Sequence, residues 1–141
     1  MTIPARVSLV TLGVTNLDRS RAFYDALGFP RVGDTESVAF YRTGGAILSL
    51  FPVESLAEDA HVAPERTGFH GMSMAINLAS EAEVDAAFEH IASVGAVILK
   101  PAEHVFWGGY SGYFTDPDGH LWEIAYNPHW PLDDQGLPQL S

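Results

Sequence analysis

The sequence predicts an α+β fold in which a βαβββ unit occurs twice, with helices on one face of a curved mixed sheet and a concave ligand cup on the other. Three observations lead to this prediction. The same order of strand and helix signals occurs in both halves of the 141 residues. The segment 45–50 aligns in register with 119–124. A duplicated unit that cannot bury its own sheet face needs its copy to do so.

The first repeat covers about residues 5–52. Its apolar, β-rich start, Val7 to Val14, predicts a strand. A helix should follow, because Asn16 can cap its first turn and Gly28 suits a left-handed end. Three strands complete the repeat, a short one around Val32 and two longer ones at 37–42 and 46–51 that turn at Gly44-Gly45.

The second repeat, about residues 70–127, replays this order after a crossing loop at 53–69 in which we expect one short helical turn. A strand at 72–78 precedes Ser80 and Glu83, which form a capping box for a helix that ends at Gly95. The remaining strands are predicted at 97–100, 111–115 and 121–126, with an Asp-Pro-Asp-Gly turn before the last one. An irregular arm, 128–141, completes what we expect to be a single domain.

The composition excludes several classes of function. Hydrophobic residues make up 47% of the chain, enough for a packed core, and cysteine is absent, so disulfides and thiolate chemistry are excluded. The net charge of -11 would repel nucleic acid and anionic membrane. No apolar run approaches the roughly 20 residues of a membrane span, and no secretory signal is evident. We therefore expect a cytoplasmic protein whose partners are a small-molecule ligand and a second copy in a homodimer.

Two segments, 10–29 and 112–123, carry a family likeness that extends over about residues 5–128. They resemble the vicinal oxygen chelate superfamily, which includes glyoxalase I, bleomycin-resistance proteins and extradiol dioxygenases. It implies the duplicated fold described above. It does not fix the activity, because the superfamily hosts isomerases, dioxygenases, epimerases and proteins that sequester drugs without catalysis.

The resemblance also implies where a divalent metal would bind, on the first and last strands of the repeats. The four implied positions hold Leu9, Ser49, Ser73 and Glu123. Metals at such sites prefer His, Glu or Gln, and a zinc site needs about three good protein ligands. Only Glu123 is a good ligand, so the sequence predicts neither a metal nor another cofactor.

The six histidines do not replace the missing ligands. We expect His104 to lie on a loop, and His120 to point away from Glu123 because neighbouring side chains of a strand alternate. The other four look like solvent-exposed residues: His61, His70, His90 and His129.

Strand alternation predicts which side chains line the cup, taking Glu123 as pointing inward. The opposite side chains are apolar and should pack under the helices: Val10, Leu12, Met72, Met74, Ile76, Trp122 and Ile124. The inward set mixes apolar groups with hydroxyls, an amide and a carboxylate, as small-molecule cavities usually do. It consists of Leu9, Thr11, Ile47, Ser49, Phe51, Ser73, Ala75, Asn77, Leu121, Glu123 and Ala125.

The segment 100–113 adds an aromatic group to the predicted ligand-binding set. Its members are Phe106, Trp107, Tyr110 and Tyr113, around a Gly108-Gly109 pair. A flexible aromatic loop beside a cavity is suited to cover a flat or aromatic ligand. Packing in the core or in a dimer interface stays open as an alternative, because interfaces favour the same residue types.

Three functions are consistent with these patterns. The first is a metal-free protein of the bleomycin-resistance type that sequesters a partly aromatic ligand. The second is a metal-dependent lyase, isomerase or dioxygenase of the glyoxalase I type, which the ligand count opposes. The third is a cofactor-independent enzyme in which Glu123 transfers protons, although a structural carboxylate is the simpler interpretation. Lys100 and Arg42 could pair with an anionic ligand, but solvated surface roles are the simpler interpretation for them. The sequence leaves open whether one chain or two form the cup.

Overall fold

The computed structural model describes residues 2–65 and 67–140. The chain divides into two compact units, Met1–Glu65 and Arg66–Ser141. Each unit contains one four-stranded mixed sheet, so the predicted repeat of the strand pattern is present. Among the described residues, no helix has the length and apolar character needed to cross a bilayer.

Within residues 2–65, the first unit contains four strands and two helices. In chain order they are β1 (Leu9–Val14), α1 (Leu17–Leu27), β2 (Arg31–Asp34), β3 (Ala39–Tyr41), β4 (Ile47–Pro52) and α2 (Val53–Ala60). The strand order in the sheet is β1-β4-β3-β2, in which β1 and β4 are parallel and the other pairs antiparallel.

Local capping signals set the limits of α1, as the sequence predicts. The side chain of Asn16 accepts a hydrogen bond from the Arg19 N–H at 3.0 Å, and Gly28 ends the helix with a φ of 112°. Between these caps, Phe23 and Tyr24 are buried and their rings meet edge to face. The helix therefore contributes large aromatic side chains to the core of this unit.

The chain after β4 differs from the prediction of a crossing loop at 53–69. Residues Val53–Ala60 form α2, an eight-residue helix that starts directly after the strand and ends at His61, which has a φ of 58°. Its first residue lies close to β1, since a Cβ at Gly13 would approach Val53 Cγ2 to 3.0 Å. No side chain caps its start, so contact with the sheet rather than a local signal fixes this helix.

Ion pairs connect β2 to α1, and a hydrogen bond connects β3 to the same helix. Arg31 lies between Asp25 and Asp34, at 2.9 and 2.6 Å, and Arg21 lies 2.7 Å from Asp34. The Tyr41 hydroxyl donates to Asp25 at 3.0 Å. Burial, and then this hydrogen bond, raise the pKa of Tyr41 well above its usual range, so the phenol remains a donor.

In the part of the second unit that the structure describes, 67–140, there are four strands and one helix. They are β5 (Met74–Asn77), α3 (Glu81–Ser93), β6 (Val97–His104), β7 (Tyr110–Thr115) and β8 (Leu121–Tyr126). The strand order is β5-β8-β7-β6, with β5 and β8 parallel and the other pairs antiparallel. The helix packs on β6, β7 and β8.

Two predicted local motifs are present in this unit. The Ser80 hydroxyl oxygen accepts from the Glu83 N–H at 3.1 Å, and the Glu83 carboxylate accepts from the Ala79 N–H at 3.1 Å. At the predicted turn, Asp116 accepts from the His120 N–H at 2.9 Å, and Gly119 has a φ of 82°. These bonds fix the start of α3 and the connection from β7 to β8.

Several strands differ in length from their predicted spans, and two strands of this unit, β5 and β6, differ in ways that affect the site. The strand β5 starts at Met74, so Met72 and Ser73 lie before it and are exposed. The strand β6 continues past Lys100 to His104, and its register shifts twice against β7. These shifts, together with Pro101, remove the regular alternation from which a strand is predicted.

The helix-facing side of each sheet forms the core. In the second unit, Phe114 and Trp122 lie parallel with ring centroids 6.3 Å apart, and Ile124 continues the row along β8. Of the side chains predicted for this face, Met72 is an exception, since it is 52% exposed. The buried apolar residues are Leu12, Val14, Phe23, Tyr24, Ala39, Tyr41, Leu48, Leu50, Ala57, Val84, Ile91, Phe114, Trp122, Ile124 and Ala125.

We predict that Gly112→Ala destabilises the protein. A Cβ at this position in β7 would lie 2.6 Å from the Lys100 carbonyl oxygen and 2.7 Å from the Phe88 ring, and the carbonyl belongs to backbone that cannot rotate away. Overpacking of this kind costs about 1–3 kcal/mol of unfolding free energy. Urea denaturation of Gly112→Ala and Gly45→Ala would test this, because a Cβ at Gly45 meets nothing within 4 Å. Equal stability of the two variants would contradict the prediction.

Candidate functional site

A row of four side chains crosses the sheet of the second unit on the face away from α3. The register places Glu123 of β8 between Ala75 of β5 and Tyr113 of β7, and Tyr113 in turn pairs with Lys100 of β6. None of the four is fully buried. We call Ala75, Lys100, Tyr113 and Glu123 the polar row.

The carboxylate and the phenol of the polar row interact directly. Burial, and then the negative charge of Glu123, raise the pKa of Tyr113, and a hydrogen bond to Glu123 adds to this effect. The Lys100 ammonium acts in the opposite direction and lowers that pKa. Lys100 also forms a 3.0 Å ion pair with Glu103. The row therefore holds a proton donor, a proton acceptor and a cation on one face.

Neighbouring positions of the same face carry most of the other predicted residues of the second half. Asn77 lies beside Ala125, which pairs with Ser111 on β7, and Leu121 starts β8. Ala125 and Ser111 are buried, whereas Asn77 and Leu121 are partly exposed. Ser73 is exposed and lies before β5, outside the strand in which it was predicted.

In the first unit the predicted residues also share one face. The parallel pair sets Leu9 beside Ile47 and Thr11 beside Ser49, while Phe51 lies beside Gly13. Leu9 and Ile47 are 48% and 39% exposed, but Ser49 is almost completely buried. This face is therefore apolar at its start, with its hydroxyls further along β1 and β4.

The aromatic segment is divided between two places. Only residues 105–109 form the turn between β6 and β7; there Phe106 is fully exposed, and the Trp107 indole occupies the space that a Cβ on Gly109 would need. Tyr113 belongs to the polar row. Tyr110 differs from its prediction as a ligand contact, because its hydroxyl donates to Asp85 of α3 at 2.6 Å, on the helix side of the sheet.

Two other residues lie in places that the sequence did not predict, His104 and Lys100. His104 is the last residue of β6 rather than a loop residue, and its Nε2 lies 3.0 Å from Glu81. Lys100, given a surface role, lies beside Tyr113 because of the register shift in β6. The signal that could have shown this is Pro101, which is typical of an irregular edge strand.

The fold and this face define a class of protein. The profile of the Glyoxalase/Bleomycin resistance protein/Dioxygenase superfamily matches residues 6–124. Because this match covers most of the 141 residues, the chain belongs to that superfamily. The resemblance inferred from the two sequence segments is confirmed.

Individual relatives agree with this assignment. The chain is 31% identical over 121 residues to the metallothiol transferase FosB of Shouchella clausii (strain KSM-K16), and the match covers 84% of this chain and 77% of the relative. A glyoxalase-related enzyme from Fulvimarina pelagi is 36% identical with a TM-score of 0.89, over 98% of this chain and 99% of the other. For lactoylglutathione lyase from Agrobacterium tumefaciens the values are 25% and 0.71, over 93% and 100%. These likenesses confirm the α+β fold.

The family implies a divalent metal, and the residues at the four implied positions do not fit one. Leu9 is apolar, Ser49 is 3% exposed, and Ser73 lies exposed before its strand, which leaves Glu123. Within residues 2–65 and 67–140, no group of three or more His, Asp or Glu side chains is arranged to hold a metal ion. A single carboxylate falls short of the three protein ligands typical of such sites.

We predict that Glu123→Gln lowers the pKa of Tyr113 without restoring its ordinary value. The substitution removes the negative charge, but burial is the larger cause and remains. Ultraviolet absorbance titration of the phenolate would measure this, with Tyr113→Phe identifying the transition. Glu89→Gln, an exposed carboxylate of α3, is the matched control. An unchanged titration in Glu123→Gln would mean that the two side chains do not interact.

Proposed function

We propose that the protein binds and sequesters a small, partly aromatic molecule without a metal ion, and that it does so as a homodimer. One observation carries the proposal: the metal positions are lost at Leu9, Ser49 and Ser73, while a polar row with a donor, an acceptor and a cation remains. Such a face can orient an organic ligand without a Lewis acid.

The polar row suggests how the ligand would be held. Lys100 and the Tyr113 hydroxyl suit an acidic or hydroxyl group, and Glu123 suits a hydrogen-bond donor. Leu121 and Ala75 add apolar surface beside them. Phe106 and Trp107, at the tip of the β6–β7 hairpin, would contact the aromatic part of the ligand.

The named relatives support an alternative in which the chain is an enzyme. One is a metallothiol transferase and another a lactoylglutathione lyase. Their likeness extends over nearly the whole fold, so it favours a shared ancestry of the site. We nevertheless favour sequestration, because an activity that needs a metal would have to rely on Glu123 with no second good ligand at the implied positions.

A specific observation favours a second candidate, a cofactor-independent enzyme. Glu123 and Tyr113 form a hydrogen-bonded acid and phenol, with Lys100 influencing the same phenol. Glu123 could accept a proton from a carbon acid while Tyr113 and Lys100 stabilise the resulting oxyanion. This mechanism uses the same face as sequestration, so the two functions differ only in whether the ligand reacts.

We predict that the purified protein carries much less than one metal ion per chain. Addition of Zn²⁺, Ni²⁺, Mn²⁺ or Fe²⁺ should produce no turnover of the methylglyoxal–glutathione adduct, because the ligand set is incomplete. Metal analysis and native mass spectrometry before and after chelator dialysis would show whether a small organic adduct stays bound when metal is removed. Stoichiometric metal together with turnover would overturn the proposal.

We also predict that Glu123→Gln weakens binding of the molecule that co-purifies by about tenfold, since one hydrogen bond to a charged group contributes about 1.5 kcal/mol. Calorimetric titration, with Glu89→Gln as the control, measures this effect. After the titration, the ligand recovered from both variants and from the native protein should be chemically unchanged. Conversion of the ligand by the native protein, lost in Glu123→Gln while binding persists, would favour the proton-transfer enzyme instead.

A further inference from the structure

The two stems of the β6–β7 hairpin are both attached to the beginning of α3. His104, the last residue of β6, places its Nε2 3.0 Å from a Glu81 oxygen. Tyr110, the first residue of β7, donates its hydroxyl to Asp85 at 2.6 Å. Glu81 and Asp85 are four residues apart and therefore lie on the same side of the helix.

The two stem residues also contact each other. His104 and Tyr110 are direct partners in the β6–β7 ladder, and their ring centroids are 4.9 Å apart. The four side chains thus form a closed set in which each hairpin residue touches the other and one carboxylate of α3. We call Glu81, Asp85, His104 and Tyr110 the clasp.

The clasp lies at the base of the hairpin tip, residues 105–109. Within the tip, the Val105 N–H donates to the Gly109 carbonyl, and the Gly108 N–H donates to the Val105 carbonyl, each at 3.0 Å. The tip carries the fully exposed Phe106 ring and the partly exposed Trp107 indole. An exposed aromatic turn gains little from burial, so its order depends on the stems.

We propose that the clasp makes the order of the aromatic tip depend on pH. As the pH falls, the contact between His104 and Glu81 becomes stronger and the tip opens less often. Imidazoles change charge between about pH 5 and 8. When His104 is neutral, it forms an ordinary hydrogen bond with Glu81; when it is protonated, the same contact becomes an ion pair. The inference concerns the hairpin itself and does not depend on ligand binding.

Three carboxylates and a phenol surround this contact. Glu81 contacts His104 from α3, Asp85 of the same helix contacts Tyr110, and Glu103, which pairs with Lys100, precedes His104 on β6. Tyr110 faces it from β7, and the hydrogen bond to Asp85 raises the pKa of that phenol, so Tyr110 stays a neutral donor throughout. A second histidine, His129, lies at the tip itself, with its Nε2 3.5 Å from the position that a Cβ on Gly108 would take.

Hydrogen exchange of the Val105 and Gly108 amides, measured by NMR and corrected for intrinsic rates, tests the proposal. In the native protein, protection should be about two- to fivefold greater at about pH 5 than at about pH 8, the range that an exposed ion pair provides. The dependence should vanish in His104→Gln and in Glu81→Gln. It should persist in His129→Gln, which removes the exposed histidine beside Gly108.

A second variant separates the two attachments. Tyr110→Phe removes the bond to Asp85, so protection of the tip should fall by about fivefold at every pH while the pH dependence remains. Urea denaturation of each variant shows whether the effect is local, in which case the global stability changes little. Native protection that does not vary with pH, or a pH dependence that His104→Gln and Glu81→Gln retain, would overturn the proposal.

Discussion

The parallel pairing of the first and last strands of each unit determines on which face of the sheet their side chains lie. It sets Thr11 beside Ser49 in one unit and Ala75 beside Glu123 in the other. Because side chains alternate, a slip of one residue in β8 would turn Glu123 toward α3 and expose Trp122. Burying an unpaired carboxylate under a helix is strongly unfavourable, so the apolar face selects one register of the strands. This register in turn places the side chains of the polar row next to one another.

Features of the fold that depend on neighbours in the chain could be predicted from the sequence. Asn16 and Gly28 define α1, and Ser80 defines the start of α3, because caps act through bonds to residues two to four positions away. The helix α2 could not be predicted in this way. It is short and uncapped, and contact with β1 near Gly13 stabilises it, which no local pattern reveals.

The candidate site was predictable from the sequence where its strands pair regularly, and not where a bulge shifts the register. Alternation from Glu123 correctly grouped Ala75 and Asn77 on one face, because β5 and β8 pair without irregularity. It could not find Lys100, since regular pairing from Ile98 would set Leu99 beside Tyr113, and the bulge substitutes the next residue. The position of Tyr110 on the helix side was not predicted for another reason: the segment was treated as one loop, so strand alternation, which separates Tyr110 from Tyr113, was not applied.

The charges of the polar row disfavour the binding of a metal ion. Glu123 has a negative charge, but the Tyr113 hydroxyl hydrogen-bonds to it and the Lys100 ammonium lies one strand further along the row. A divalent cation would compete with that hydrogen bond and be repelled by the ammonium. A neutral hydroxyl on an organic ligand is not repelled by the ammonium, because it can accept a hydrogen bond from Lys100 and donate one to Glu123. The side chains that weaken a metal site are therefore compatible with the small organic ligand that we propose.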